Sequence, residues 1–463
     1  MLRQRALLVI ALAAALHALV YVPFETHLTG DSPAYIAAAK ALRHGSYSTP
    51  LQAGAAPATG FSQHPGEAVD LTDHVLPAAA LDAAERQVWR APVYPALLAA
   101  VGGAEHPGPS RNALYVVQAL LIGLATLLTG ALAARLWGPR VGLAGAALAA
   151  LDPFTKRYAG LVVSESLAMA LASLSGYALV RAWGSAALRW WGAAGLAGGL
   201  LTLTRPGLVP VLLILIVAAA VGAGGARDRA GRASAVLAAG ALVVAPWLAW
   251  TAIVTGTPTL QAYGSGVNLL VSARGQGPDT SIFMASQSRP FLEDLQEATR
   301  AFPASALTRD PDAHGRYLVA ADRALRDRAL SVYVDALRAD PDRVVRDYSW
   351  RAAFLWMAHT DWYQPSGGPL LLALRLADWL VFGLIAAGLV IALGGRAPPA
   401  RALGAMLLAT TLILATSAMQ ARFTMPLRPL AFALAALAVV QALRAAARFR
   451  PVRPPRPRPA VAG

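Results

Sequence analysis

The chain has no cysteine, which excludes disulfides and thiolate metal sites. Charge is scarce as well. Only 14% of its 463 residues are Asp, Glu, Lys or Arg, against roughly 25% in ordinary soluble domains. Length alone would suggest about three soluble domains, and this composition excludes them. The eight histidines show no His-x-x-x-His spacing, so no zinc site is specified. His64 and His74 lie apart in one long loop, where a metal would bind only adventitiously. A P-loop, a dinucleotide fingerprint and a G-x-S-x-G turn are all missing, so nothing supports nucleotide use. No internal repeat is visible.

Apolar runs, by contrast, recur from end to end. Hydrophobic residues make up 56% of the chain. Apolar segments fall near 6–22, 112–136, 140–155, 161–183, 190–203, 206–224, 233–254, 370–394, 401–419 and 423–446. They predict an all-α, polytopic transmembrane helical bundle with about ten spans. Two of them, 140–155 and 190–203, are short for a full crossing.

The net charge of +15 suggests nucleic acid at first sight. Its distribution argues otherwise, and no nucleic-acid partner is expected. Arg clusters in short loops: Arg135 and Arg140, Arg181 and Arg189, Arg227 to Arg232, Arg396 and Arg401, and the tail from Arg444 to Arg458. With the N-terminus in the cytoplasm, alternate crossings place all of these inside, together with the C-terminus. Nearly all Asp and Glu then fall outside. A cleaved leader over residues 1–22 is the competing reading, and it leaves later sidedness unchanged. The expectation is a multi-pass protein of the plasma (inner) membrane, in contact with membrane lipids.

Two long segments face outward, 23–111 and 255–369. Loops of this length usually carry function or structure of their own. In the first, Ser32-Pro33 starts a short helix and Arg90 to Pro95 leads into a stretch too short to span. In the second, Leu318, Leu325, Ala329, Tyr333 and Leu337 mark one face of an amphipathic helix. Asp340-Pro341 ends that helix and starts another. Trp350, Trp356, Trp362 and Tyr363 then mark a membrane–water boundary. An extra span over 350–368 would break the charge alternation. The expected division is a transmembrane module over 1–254, an outer segment over 255–369, helices over 370–446 and an Arg/Pro-rich tail over 447–463.

Two acids stand beside crossings on the same side, Asp31 and Glu165. Asp31 suits a helix N-cap, and equally a base that takes a proton from an acceptor hydroxyl. Glu165 reads as a solvated end charge or as a site residue. Cations share that side against the positive-inside trend: Lys156, Arg157, Arg205 and Arg422. Pairing with acids or headgroups would account for them. A bound phosphate would too, since a guanidinium can donate two parallel hydrogen bonds.

At these residues the chain resembles the C-type membrane glycosyltransferases. The likeness is to the dolichyl-phosphate-mannose protein mannosyltransferase-like branch, which includes aminoarabinose transferases acting on lipid A. Asp31-Ser32-Pro33-Ala34-Tyr35 is similar to that family's first outer-loop motif. Arg90-Ala91-Pro92-Val93-Tyr94-Pro95 resembles its R-x-P-x-Y-P element, and Ser164-Glu165-Ser166-Leu167 the acidic start of a later span. Gly264-Ser265-Gly266-Val267-Asn268 resembles its glycine–asparagine stretch. Arg422-Phe423-Thr424-Met425-Pro426 resembles the element before the last span. Where many relatives carry a second acid beside the first, this chain has Ser32.

The resemblance implies a polyprenyl-phosphate sugar as donor, chemistry on the outer face, and a lipid, glycan or protein acceptor. Asp31 would be the base, with Glu165 placing the acceptor or the sugar. Arg205, Arg422, Lys156 and Arg90 would hold the donor phosphate. Tyr35, Tyr94 and Asn268 would line the substrate site. No ligand spacing specifies a metal, and the resemblance leaves room for a divalent cation. The alternative is a transporter or flippase for a lipid-linked sugar, whose ionisable sites usually lie near the midplane of repeated halves.

Overall fold

The computed structural model describes residues 2–24, 32–43, 90–102, 109–185, 187–222, 224–261, 264–275, 289–299, 313–357, 369–417 and 421–448. Among them every regular element is helical. The first half comprises α1 (Leu2–Tyr21), α2 (Ser32–Arg43), α3 (Val93–Ala100), α4 (Pro109–Trp137), α5 (Pro139–Leu151), α6 (Pro153–Arg157), α7 (Glu165–Trp183), α8 (Leu188–Thr202), α9 (Val209–Val221) and α10 (Ala226–Thr255). The second comprises α11 (Ser265–Arg274), α12 (Arg289–Thr299), α13 (Ala313–Ala339), α14 (Pro341–Phe354), α15 (Pro369–Gly394), α16 (Pro398–Ser417) and α17 (Arg428–Arg448).

Each of the ten apolar segments forms a helix. Six are long and apolar enough to cross a membrane: α1, α4, α10, α15, α16 and α17. The other four fall short of the expected ten full spans. At 1.5 Å per residue, α5 and α9 with 13 residues and α8 with 15 reach roughly 20–23 Å. A bilayer core is about 30 Å thick. Helix α7 has 19 residues but carries Glu165, Arg181 and three serines. The break after α5 has a local cause. Asp152 caps α6 by accepting the Thr155 N–H at 3.1 Å, and Pro153 occupies its first turn.

At the centre lies α7, packed against α4, α8 and α17. Lipid tails offer no hydrophobic drive between helices, so small residues let backbones close in. A Cβ at Gly388 on α15 would lie 2.0 Å from the Leu434 carbonyl of α17. Of the two cores that hold the central bundle and the outer segment, the larger joins α7, α8, α9, α16 and α17 through Leu171, Trp191, Leu201, Leu215, Met406 and Leu430.

The outer segment builds the other around Phe291, Leu325, Ala329 and Trp247. Helix α11 begins on α13. The Asp322 carboxylate accepts the N–H groups of Gly264 and Gly266 at 2.9 and 2.8 Å and the Ser265 hydroxyl at 2.6 Å. Gly264 has φ +113°, and a Cβ at Gly266 would meet the Asp322 carbonyl at 2.3 Å. The glycines of this stretch therefore serve a close helix approach. Helix α13 ends where Asp340 caps α14 through the Arg343 N–H. Its buried face runs through Ala321, Leu325, Ala329 and Val332, whereas Leu337 is exposed. The helical stripe has turned away from the core by that point. Residues 358–368, His64, His74 and the tail beyond 448 lie outside the described residues.

Candidate active site

Three elements bring the site together. Helix α7 opens with Glu165 in its first turn, where the positive end of the helix favours a carboxylate. The Ser166 hydroxyl donates to the Tyr158 carbonyl at 3.0 Å and fixes the turn before it. Arg205 follows α8 in an extended conformation, φ −145° and ψ 102°, as the residue before Pro206 must. Arg422 lies in the 3₁₀ turn Ala421–Phe423 that leads into α17.

Glu165 stands between the two arginines. Arg205 Nη1 lies 2.6 Å and Arg422 Nε 3.4 Å from Glu165 Oε1. The Glu165 side chain is 1% exposed. Neither contact has hydrogen-bond alignment, and both carboxylate oxygens are buried without an aligned donor. Phe423 floors the cluster, its ring 5.5 Å from the Arg205 guanidinium carbon and 5.8 Å from that of Arg422. Among the described residues, two guanidinium groups therefore approach one carboxylate.

The first outer segment supplies the wall. Tyr35 on α2 donates to Ser164 Oγ at 3.2 Å, one residue before Glu165. The Arg90 guanidinium carbon sits 5.2 Å from the Tyr35 ring. Tyr94 meets Tyr35 edge-on, with ring centroids 4.9 Å apart. Its hydroxyl donates to Gln118 Oε1 at 3.0 Å, and Gln118 Nε2 donates to the carbonyls of Ala159 and Leu161. Burial pushes the Tyr94 phenol well above its usual range, and the charges of Tyr35 and Glu165 add to this. Tyr94 is thus a fully buried brace for the turn that carries Glu165. The Val93 N–H donates to the Leu203 carbonyl at 3.2 Å, which ties α3 to the turn bearing Arg205.

Not every expected residue joins this cluster. Lys156 is fully buried, and its Nζ reaches back to the Ala149 carbonyl at 2.7 Å and Thr155 Oγ1 at 3.1 Å. Burial pushes its ammonium down to about 8, opposed by Asp152. Asn268 lies half-buried on α11, and no hydrogen bond links it to Glu165. Asp31 lies outside the described residues; the helix after it begins at Ser32, which is fully buried. Among the described residues no three His, Asp or Glu side chains are grouped to hold a metal ion.

One pairing is not evident from the motifs. Arg428 is 1% exposed, and its Nε and Nη2 both lie 3.2 Å from Asp152 Oδ1, while Nη1 donates to the Trp356 carbonyl at 3.0 Å. An arginine at the head of an apolar run, beside Pro429, is the signal that could have found it.

Residues 90–250 match the family model for dolichyl-phosphate-mannose-protein mannosyltransferases. The archaeal oligosaccharyltransferase AglB from Archaeoglobus fulgidus, solved with an inhibitory peptide and a dolichol-phosphate, is 13% identical with a TM-score of 0.52. That match covers 98% of this chain and 52% of the other. The chain has the C-type glycosyltransferase fold. A second structure of the A. fulgidus oligosaccharyltransferase, tethered to an acceptor peptide, is 15% identical over 96% of this chain and 50% of its own, with a TM-score of 0.52. ArnT from Cupriavidus metallidurans, bound to undecaprenyl phosphate, is 16% identical over 95% and 79%, with a TM-score of 0.36. The chain spans about half the length of the oligosaccharyltransferases it matches. No curated protein matches it. The C-type likeness read from the motifs therefore holds for the fold, and Arg90, Glu165 and Arg205 all lie within the matched segment.

Proposed function

We propose that the protein is a membrane glycosyltransferase that moves a sugar from a polyprenyl-phosphate donor to an acceptor hydroxyl or phosphate on the extracytoplasmic side. One observation carries this reading. Arg205 and Arg422 come from turns more than two hundred residues apart and meet on the buried Glu165 carboxylate. Two guanidinium groups held side by side suit a lipid phosphate, whose charge grows as the glycosidic bond breaks. Arg90 lies close enough to extend that field across the Tyr35 ring.

In this scheme Asp31 takes the acceptor proton and the donor phosphate departs between Arg205 and Arg422. Glu165 holds the two guanidinium groups in place until the phosphate arrives, then turns to the acceptor or sugar hydroxyls. Its oxygens, lacking aligned donors, are suited to such an exchange. Lys156 braces the α5–α6 corner, where two of its three ammonium donors are engaged. Tyr35 and Tyr94 shape the wall. The family match of residues 90–250 supports the donor class.

The test is transfer from radiolabelled polyprenyl-phosphate sugar by the purified protein in detergent, with lipid extracts as acceptor. Transfer is expected, with a roughly 10²–10⁴-fold loss in Asp31→Asn. Near wild-type turnover in that variant removes the base assignment. Movement of the labelled lipid across a vesicle wall without transfer overturns the enzyme and favours a flippase.

A further inference from the structure

We infer that the protein holds a second phosphate-headed lipid at the far end of α7, roughly 24 Å from Glu165. A cavity of about 580 Å³ opens there, lined by Arg135, Leu136, Val180, Arg181, Trp183 and Pro399, among others. Arg181 follows Glu165 by sixteen residues on one helix, or roughly 24 Å at 1.5 Å per residue. The two cationic sites therefore sit at opposite ends of the same helix.

Neither arginine of this cavity is neutralised. Among the described residues, Arg135 and Arg181 have no acidic partner. Arg181 Nε is buried without a hydrogen-bond acceptor, an arrangement that is unfavourable unless something fills it. The two cations are instead set on aromatic faces. The Arg135 guanidinium carbon is 5.7 Å from the Tyr177 ring and that of Arg181 4.7 Å from Trp190. Tyr177 and Trp190 meet edge-on at 6.2 Å, and Trp183 packs on Trp191 at 5.3 Å. These ring contacts hold the two guanidinium groups in place.

The depth is that of a headgroup. Tryptophans gather at membrane–water boundaries; Trp183 lines this cavity, and Trp190 lies against its Arg181. An exposed arginine that merely snorkels needs no pocket. Here Leu136 and Val180 supply apolar wall beside the cations, as a phosphate on an acyl chain requires. Planar donors in pairs suit phosphate oxygens. The occupant is thus a lipid phosphate, either a glycerophospholipid or a polyprenyl phosphate in the opposite leaflet.

Native mass spectrometry of the full chain tests this. Protein exchanged into mixed phosphatidylglycerol and phosphatidylcholine micelles is expected to retain one more phosphatidylglycerol than the double variant Arg135→Ala, Arg181→Ala, with apparent affinity about tenfold weaker in that variant. Equal retention by both proteins, or equal retention of phosphatidylcholine, overturns the site. Release of the bound lipid by millimolar inorganic phosphate overturns a lipid occupant. Undecaprenyl phosphate displacing phosphatidylglycerol one for one supports the site and names the polyprenyl source; failure to displace supports it with a glycerophospholipid. Arg135 is exposed, so Arg135→Gln alone supplies the measurement should the double variant not fold, with a smaller loss expected and no loss overturning the proposal.

Discussion

Two places in this protein set one carboxylate between two arginines, and they are built differently. In the outer segment, Asp294 accepts from Arg328 Nε at 2.8 Å and pairs with Arg328 Nη2 at 2.6 Å and with Arg274. Both of its oxygens have aligned donors. Glu165 is equally buried, yet its two arginines approach a single oxygen and neither contact is aligned. The first arrangement is saturated and ties α11, α12 and α13 together. The second leaves acceptor capacity at both Glu165 oxygens. A saturated ion cluster holds a fold; an unsaturated one at the same burial is disposed to receive a ligand.

The largest expected effect separates the two clusters by function. Arg205→Ala or Arg422→Ala should lower glycosyl transfer by roughly 10²–10³-fold, the loss typical of removing one charge-stabilising donor. Arg274→Ala or Arg328→Ala should leave turnover within about threefold. Initial rates with labelled donor decide it, and comparable losses in both sets would dissolve the contrast. The next effect is on stability. Asp294→Ala should destabilise the protein by about 1–3 kcal/mol by removing the carboxylate shared by Arg274 and Arg328, of which Arg328 keeps only Glu297 at 3.2 Å; thermal unfolding in detergent reads this.

The smallest effect is on pH dependence. Burial raises the Asp294 carboxyl, but hydrogen bonds from Arg274 and Arg328 outweigh it and hold the group below its usual 3.8. Its folded value is therefore depressed, so its contribution is complete above that usual value and is lost as pH falls through the folded one. Wild type should lose stability more steeply than Asp294→Asn below about pH 4, measured as the difference between their melting curves. Parallel curves would mean that Asp294 is not the saturated member.

Much of this architecture is legible in the amino-acid sequence. The apolar runs specify the long helices of the bundle, because a backbone in lipid has few ways to satisfy its hydrogen bonds, and an amphipathic stripe specifies α13. They do not specify length at Asp152, where a side-chain cap and Pro153 end a helix inside an otherwise apolar run. The site residues Glu165, Arg205 and Arg422 are legible as misplaced charges, and proximity across the bundle is what a single chain cannot print. Lys156 shares their signal but not their place, since its four-carbon stem folds back on the preceding turn. Arg428 is hidden by the opposite effect: it sits where an apolar run suggests nothing but lipid contact.

That arginine has a consequence for biogenesis. Asp152 and Glu165 are both synthesised long before their partners Arg428 and Arg422. While the ribosome is still making the middle of the chain, two carboxylates in the inserted half have no counter-charge from the C-terminal helix. The nascent protein must tolerate them, or a helper must shield them, until α17 threads into place. A stalled product ending before residue 422 would then display its own incompleteness to quality-control proteases.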